Sequence, residues 1–315
     1  MKHILITGAS GFIGKRLARF FLQKGYKVTG LGTSQKHPFS LKFNKFNWIS
    51  ADTTLEGDWQ NCVAASDIII NLTGRNIFRY WTKKYKKSIY DSRILTTRNI
   101  VSSLADNPKT QKMLTASAVG IYGDCKEELL TEERLLPGHD FLARVCKEWE
   151  KEGLKAKNKD VKVAVMRFGV VLGKGGGALS MMNPTFKLFA GGPLGNGEHW
   201  FPWIHIEDLE RAVEFIIENS EIEGSFNFTG PEPVRQKQFV RALGQSLHRP
   251  SFMPAPSFII KIIMGELGRS LLQSQKAIPE KLTDSGFNFK FSDVKSALDD
   301  ICRKTDNYNG NLHDA

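Results

Sequence analysis

His3-Ile4-Leu5-Ile6-Thr7-Gly8-Ala9-Ser10-Gly11-Phe12-Ile13-Gly14 opens the chain with a short apolar run, then three glycines at three-residue intervals, then a helical pattern. Strand, glycine turn and helix in this order decide the fold. Gly8 permits the tight exit from the strand, Gly11 lets backbone N–H groups approach a pyrophosphate, and Gly14 allows the helix to pack closely on the sheet. The helix N-terminus then faces the phosphates. The stretch reads as a dinucleotide-binding turn, with Gly8, Ser10, Gly11, Phe12, Ile13 and Gly14 as its cofactor contacts.

The second strand bears on which dinucleotide. NAD sites place an acid at its end, about 20 residues beyond the glycines, to hold the ribose 2′-OH. Here Lys27-Val28-Thr29-Gly30-Leu31 runs into Gly32-Thr33-Ser34-Gln35-Lys36-His37, and no Asp or Glu precedes Asp52. Hydroxyls and a base suit a 2′-phosphate, so NADP is the expected cofactor, with Gly32, Thr33 and Lys36 around that phosphate. The remaining early lysines and arginines read as solvated surface charge.

Composition bounds the other function classes. The chain has 315 residues, 41% of them hydrophobic and 24% charged, which is enough for one large or two intimate globular domains. The net charge of +11 invites a nucleic-acid reading, but there is no finger, repeat or arginine-rich arm. Lys83-Lys84-Tyr85-Lys86-Lys87 is the only dense basic cluster. A small anionic substrate explains the charge equally well, and no nucleic-acid partner is expected. Cys62, Cys125, Cys146 and Cys302 form no close pair, and the seven histidines show no ligand spacing, so reduced thiols and no metal are expected. The apolar stretch Phe258 to Met264 is too short to span a bilayer, and the N-terminus is already a strand and turn rather than a signal peptide. A cytoplasmic protein without a membrane partner, monomeric or homodimeric, is the resulting expectation.

Strand-like runs at Phe46 to Asp52, Asp67 to Leu72, Lys112 to Ser117 and Val161 to Leu172 alternate with helical segments, among them Lys84 to Leu104 and Phe141 to Lys157. The alternation implies an α/β fold, a doubly wound parallel sheet with helices on both faces. After Gly173 the chain turns glycine-rich and irregular through Trp203. Then Ile206 to Asn219 reads as a helix and Gly224 to Thr229 as a strand. Helices broken by Pro250, Pro254, Pro256 and Pro279 run on to about Cys302. The expected division is 1–172 with 205–225 as the NADP-binding domain, 173–204 with 226–302 as a smaller mixed α/β substrate-side domain, and 303–315 as a flexible tail.

Beyond the opening turn, Asn71-Leu72-Thr73-Gly74, Trp81, Ser92-Arg93 and Ser117-Ala118-Val119-Gly120-Ile121-Tyr122-Gly123 carry a family resemblance. So do Arg167-Phe168-Gly169-Val170-Val171-Leu172-Gly173, Gly175-Gly176-Gly177-Ala178 and Trp203-Ile204-His205-Ile206-Glu207-Asp208. With these motifs the chain resembles the extended short-chain dehydrogenase/reductases, in the subgroup called epimerase-family proteins. The resemblance extends to a C-terminal domain of unknown function, typical of the subgroup, expected over Pro254 to Leu298. The resemblance implies a Rossmann-like fold, an Asp52 that bonds the adenine amine, and a Leu72-Thr73-Gly74 loop along the adenosine. The residues alone allow Asp52 to be a turn or helix cap before Thr53-Thr54 instead. Arg93 falls where related enzymes place a cofactor-touching asparagine, and an arginine there reaches a phosphate. Thr33 falls where the subgroup often has arginine for the 2′-phosphate, leaving Lys36 to substitute.

The same resemblance implies a serine, a tyrosine and a lysine four residues after the tyrosine as the reacting groups. Ser117 supplies the first. Phe141 and Val145 stand at the other two positions and move no proton. Lys147 lies about 600° around the helix from Phe141, on another face. Candidate replacements are Tyr122, just past the Ser117 strand, and Lys86, which shares a helix face with Tyr90, Arg93 and Thr97. His199, Trp200, Trp203 and His205 are candidates to line a substrate pocket or simply to pack, and Asp208 to cap a helix. Two classes follow. One is an NADP-dependent oxidoreductase or nucleotide-sugar-type epimerase with Ser117, Tyr122 and Lys86 as catalytic groups. The other is a catalytically inactive NADP(H)-binding sensor or scaffold acting on a protein partner.

Overall fold

The computed structural model describes residues 1–36, 38–39, 44–106, 111–134 and 138–309. The apolar runs become strands β1 (His3–Thr7), β2 (Lys27–Gly32), β3 (Phe46–Ser50), β4 (Ile68–Asn71), β5 (Lys112–Ala118), β6 (Lys162–Phe168) and β7 (Gly224–Phe228). They form one seven-stranded sheet in the order β7-β6-β5-β4-β1-β2-β3. β1 pairs parallel with both β2 and β4, setting Thr7 beside Leu31 on one side and Asn71 on the other. The strand order therefore reverses at β1, and in such sheets ligands bind at the carboxyl ends of the strands flanking that switch. β1 and β4 are apolar at nearly every position because both faces are covered, which the continuous burial of Ile4–Ile6 and Ile68–Ile70 reflects.

Helix α1 (Phe12–Gln23) buries Gly14, Leu17, Ala18 and Phe21, one stripe of its surface. α2 (Lys83–Ser102) starts where the Thr82 hydroxyl accepts the Tyr85 N–H. α3 (Phe141–Leu154) follows, and its last turn tightens into the 3₁₀ segment Lys155–Lys159. Then come α4 (Gly177–Lys187), α5 (Ile206–Glu218), α6 (Gln236–Leu247), α7 (Ser257–Leu271) and α8 (Val294–Asn309).

The chain divides into two compact units. The first comprises Met1–Ile121, Ala143–Arg167 and Val213–Phe226, and the second Tyr122–Leu142, Phe168–Ala212 and Asn227–Ala315. The core of the first gathers Leu5, Leu31, Ile69, Ile100, Met113 and Val163; that of the second Phe186, Trp203, Phe239, Leu243 and Leu298. This moves 122–142, 168–172 and 205–212 away from the cofactor-side domain expected from sequence. The reason is pairing: Leu129–Leu130 forms a parallel bridge with Lys276–Ala277, and the Ser274 N–H donates to Asp124 at 3.0 Å. The expected strand Val161 to Leu172 likewise splits at Gly169, where a Cβ would lie 2.9 Å from the Pro202 carbonyl. Val170–Leu172 then pairs with Trp203–His205. The backbone of α8 remains helical to Asn309 within the stretch expected to be a tail, and 310–315 lie outside the described residues.

Candidate functional site

At the end of β1 the backbone of Gly8 takes φ +68°, a region L side chains rarely adopt. The Gly11 N–H closes the turn on the Gly8 carbonyl at 2.9 Å. A Cβ at Gly14 would lie 2.3 Å from that same carbonyl oxygen, so only glycine lets α1 come this close. Among the described residues no side chain caps α1, and its first turn holds no acid. The N–H groups after Gly11 and the positive helix end are therefore left to an anion. Side chains at Gly8, Gly11 and Gly14 would collide with the backbone of the turn itself or of Leu72-Thr73, so the three glycines let this cradle close up.

Gly32 closes β2 beside this turn, where a Cβ would stand 3.0 Å from Ser10 Oγ and 2.8 Å from the Trp48 ring. The next loop is fixed locally. The Ser34 hydroxyl donates to the Lys36 carbonyl and accepts the Lys36 N–H, and the Trp48 indole N–H donates to the Ser34 carbonyl at 3.1 Å. Thr33 and Lys36 are exposed on that loop; His37 lies outside the described residues. Asp52 is exposed, and its Oδ1 accepts both the Thr54 N–H at 3.0 Å and the Thr54 hydroxyl at 2.7 Å. The turn anticipated as the alternative for Asp52 is thus present.

Beneath the cradle a buried polar chain ties four elements together. The Thr7 hydroxyl donates to Asn71 Oδ1 at 2.8 Å, and Asn71 Nδ2 donates to Thr97 Oγ1 at 2.8 Å. Trp149 Nε1 also donates to Thr97 Oγ1, which donates in turn to the Arg93 carbonyl. Asn71 further holds the Thr73 N–H and so shapes the Leu72-Thr73-Gly74 loop. The Arg93 guanidinium lies over the Trp149 ring, 5.2 Å from its centroid, and donates to the Arg75 and Ile89 carbonyls. A Cβ at Gly74 would meet it at 2.9 Å. The row Lys86, Tyr90, Arg93 and Thr97 does not act as one surface: Thr97 is buried in this chain, Arg93 is folded onto Gly74, Lys86 is half-buried and Tyr90 is exposed.

Ser117 sits near the carboxyl end of β5. Its hydroxyl donates inward to Glu150 Oε1 at 2.6 Å. Arg167 holds the same carboxylate with two parallel bonds, Nε to Oε1 and Nη2 to Oε2, both 2.9 Å. All three residues are at least nine-tenths buried. One turn before Glu150, the Cys146 thiol is pushed up to about 12 by burial, reinforced by the Glu150 charge. It is a packed thiol, not a nucleophile. Glu150 and Arg167 had no role assigned from sequence. The available signal was an acid four residues after Cys146 on the buried stripe of α3, a position that demands a counter-charge.

Tyr122 does not present a free phenol. It is 2% exposed, with its hydroxyl 2.8 Å from Asn227 Oδ1 and 3.1 Å from the Thr131 carbonyl, and it fastens the second unit. His205 Nδ1 accepts the Glu207 N–H while its ring packs on Phe291. Asp208 lies in the first turn of α5 and accepts the Lys290 and Phe291 N–H groups as well as Arg211, so it anchors the 290–291 segment instead of forming the helix cap expected from sequence; burial raises its pKa despite these donors. His199 lines an open depression of about 480 Å³ with Asn196, Ser257, Phe258 and Lys261. Its Nε2 is buried without a hydrogen-bond partner, and burial lowers its pKa. No group of three His, Cys, Asp or Glu side chains among the described residues could hold a metal.

Residues 4–228 match the NAD dependent epimerase/dehydratase family, and 255–301 match a domain of unknown function, DUF1731. Among curated relatives, the epimerase family protein SDR39U1 homolog, chloroplastic, of Arabidopsis thaliana is 41% identical over 94% of this chain and 85% of that protein. The epimerase family protein YfhF of Bacillus subtilis is 35% identical over 96% and 99%. Among solved structures, human epimerase family protein SDR39U1 with NADPH superposes with a TM-score of 0.84 at 28% identity, covering 96% of this chain and 99% of that one.

Proposed function

The chain belongs to the NAD dependent epimerase/dehydratase family, and on that premise we propose that it binds NADPH and senses it, without the family's usual proton-transfer groups. Gly8, Ser10, Gly11, Phe12, Ile13 and Gly14 would hold the pyrophosphate. Gly32, Thr33 and Lys36 would hold the 2′-phosphate, and Asp52, Leu72, Thr73 and Gly74 would line the adenosine. Arg93 would reach a phosphate. The human SDR39U1 structure was solved with NADPH, which supports this choice of cofactor. When bound, the nicotinamide supplies a hydride donor or acceptor.

The observation that carries the sensing reading is the engagement of the Tyr122 phenol, which is bonded to Asn227 Oδ1 at 2.8 Å and to the Thr131 carbonyl at 3.1 Å. Phe141 and Val145 bring no acid or base, and Tyr122 is engaged elsewhere. A partner protein would then read the NADP(H) state of a monomer or homodimer.

The 2.6 Å Ser117–Glu150 bond favours a second reading. A substrate hydroxyl donating to Ser117 Oγ would pass its proton to the serine as the serine proton moves to Glu150, while the hydride leaves the same carbon for the oxidised nicotinamide. The reverse reaction, with NADPH as hydride donor, would reduce the ketone, giving an oxidoreductase or epimerase for a small anionic substrate with Lys86 as an anion contact. The two separate by label. NADPH deuterated at C4 is incubated with the protein and a cell extract, and metabolites are analysed by mass spectrometry. Tight NADPH binding with no transferred deuterium supports sensing. Transfer that disappears in Ser117→Ala and Glu150→Gln overturns it in favour of catalysis.

A further inference from the structure

The second unit carries an apolar face that its own core leaves uncovered. Over the first two turns of α7, only Ile260 is buried, while Phe258, Ile259, Ile262 and Ile263, at i, i+1, i+4 and i+5, form an exposed arc of about 140° beside it. Their exposures reach 63% for Phe258, 76% for Ile262 and 67% for Ile263. The helix breaks at Gly265, with φ +58°, and turns back so that a Cβ at Gly268 would meet the Ile260 carbonyl at 2.4 Å. The fold thus seats α7 on Ile260 and presents this arc outward.

Adjacent loops extend the patch. Met253 donates its N–H to Gly191 and Ala255 to Pro193, so the ribbons 191–195 and 253–255 lie side by side. Phe252 is 76% exposed and Leu188 78%, and Phe189 projects beneath Arg249. These large apolar side chains are exposed in addition to those of α7, more than the singly scattered surface hydrophobic residues that need no explanation. Lys187, Arg241, Arg249, Lys261 and Arg269 are all exposed, and Glu266 is the only acid within 177–196 and 241–272.

We propose that this face docks on an anionic lipid bilayer surface, with Phe258, Ile262 and Ile263 entering the headgroup boundary and Lys261, Arg249 and Lys187 meeting lipid phosphates. An aromatic and aliphatic helix face flanked by cations is the pattern of surface-lying membrane contacts, and it needs no span. Among the described residues no helix is long and apolar enough to cross a membrane. The sequence expectation of no membrane partner considered spanning segments and a leader, not this one-sided helix. Exposed Lys261 on the helix itself, Lys187 next to Leu188 and Arg249 over Phe189 favour an anionic surface over a second copy, which would bring the same cations face to face.

The test is co-sedimentation of the full chain with vesicles of phosphatidylcholine alone and with added phosphatidylglycerol, alongside sedimentation velocity without lipid. Binding is expected only to the phosphatidylglycerol vesicles, weakening as salt rises. Ile262→Asp should abolish it, and Lys261→Glu should weaken it by at least about tenfold. Leu55→Asp, at an exposed apolar residue of the first unit, should leave it unchanged. Circular dichroism and thermal melting of each variant separate loss of binding from loss of fold. Equal binding to both vesicles, or no binding to either, overturns the proposal. So does a concentration-dependent dimer that Ile262→Asp dissolves, which would make a second copy the occupant.

Discussion

Arg167→Leu probes the buried pair at the heart of the site. In the wild type, Glu150 receives two bonds from Arg167 at 2.9 Å and one from Ser117 at 2.6 Å, at side-chain exposures of 10% for Arg167 and 8% for Glu150. Removing the guanidinium leaves a carboxylate in the interior with the Ser117 hydroxyl beside it and no counter-charge. Breaking one side of such a pair costs about 3–5 kcal/mol, a large part of the roughly 5–15 kcal/mol that keeps a domain folded. Removing both charges in Glu150→Leu/Arg167→Leu should recover most of that loss, since well-packed apolar replacements of buried pairs are often near neutral. Ser117 then lacks its acceptor, which leaves a residual cost of about 1–3 kcal/mol. Urea unfolding followed by tryptophan fluorescence, with midpoints compared at matched slopes, reads all four proteins of the cycle. An Arg167→Leu cost below about 1 kcal/mol, or a double variant whose loss equals the sum of the singles, would refute the claim that these residues form one coupled buried unit.

Gly14→Ala places a methyl 2.3 Å from the Gly8 carbonyl oxygen, so the turn must open; NADPH affinity in calorimetry should fall by at least about a hundredfold, with a stability loss of roughly 2–4 kcal/mol. Lys112, whose ammonium donates to the Ile216 and Asn219 carbonyls, is pushed by burial from 10.5 down to about 8. The unfolded chain therefore holds this proton across pH 8 to 10.5 while the folded chain releases it, so stability should rise with pH in that window by about 1–2 kcal/mol after solvent screening. Lys112→Met should remove that rise in unfolding curves taken at its two ends. With its thiol held near 12, Cys146 should be the last cysteine to react with iodoacetamide in the native protein, after the partly exposed Cys62 and Cys302; mass spectrometry of peptides from early time points checks the order.

The parts of the fold written in local pattern were legible beforehand. The dinucleotide turn follows from three glycines set between an apolar run and a helical pattern, and the alternation of apolar runs with helical segments points to the parallel sheet. Ser117 was identified, but not what it touches. Glu150 lies 33 residues from it and Arg167 a further 17 from Glu150, so their meeting depends on how α3 packs on β5 and β6. Tyr122 looked adjacent to Ser117 because it is five residues away, yet the chain crosses into the second unit between them and the phenol bonds Asn227, 105 residues on. The sequence allows Asp52 either an adenine contact or a turn, and the Thr54 bonds display the turn. The α7 face escaped the sequence reading because helical periodicity says which residues share a face, not whether the core covers it.

The Gly8–Gly14 turn and the acid-free end of β2 are proposed to make a site for NADPH. Calorimetric titration of the nucleotide-stripped protein with NADPH and NADH at one ionic strength tests it most directly. NADPH should bind at least about tenfold tighter than NADH, since a lysine and backbone donors would meet its 2′-phosphate. Equal or stronger binding of NADH would contradict the reading of β2, and heat from neither nucleotide would contradict the site itself.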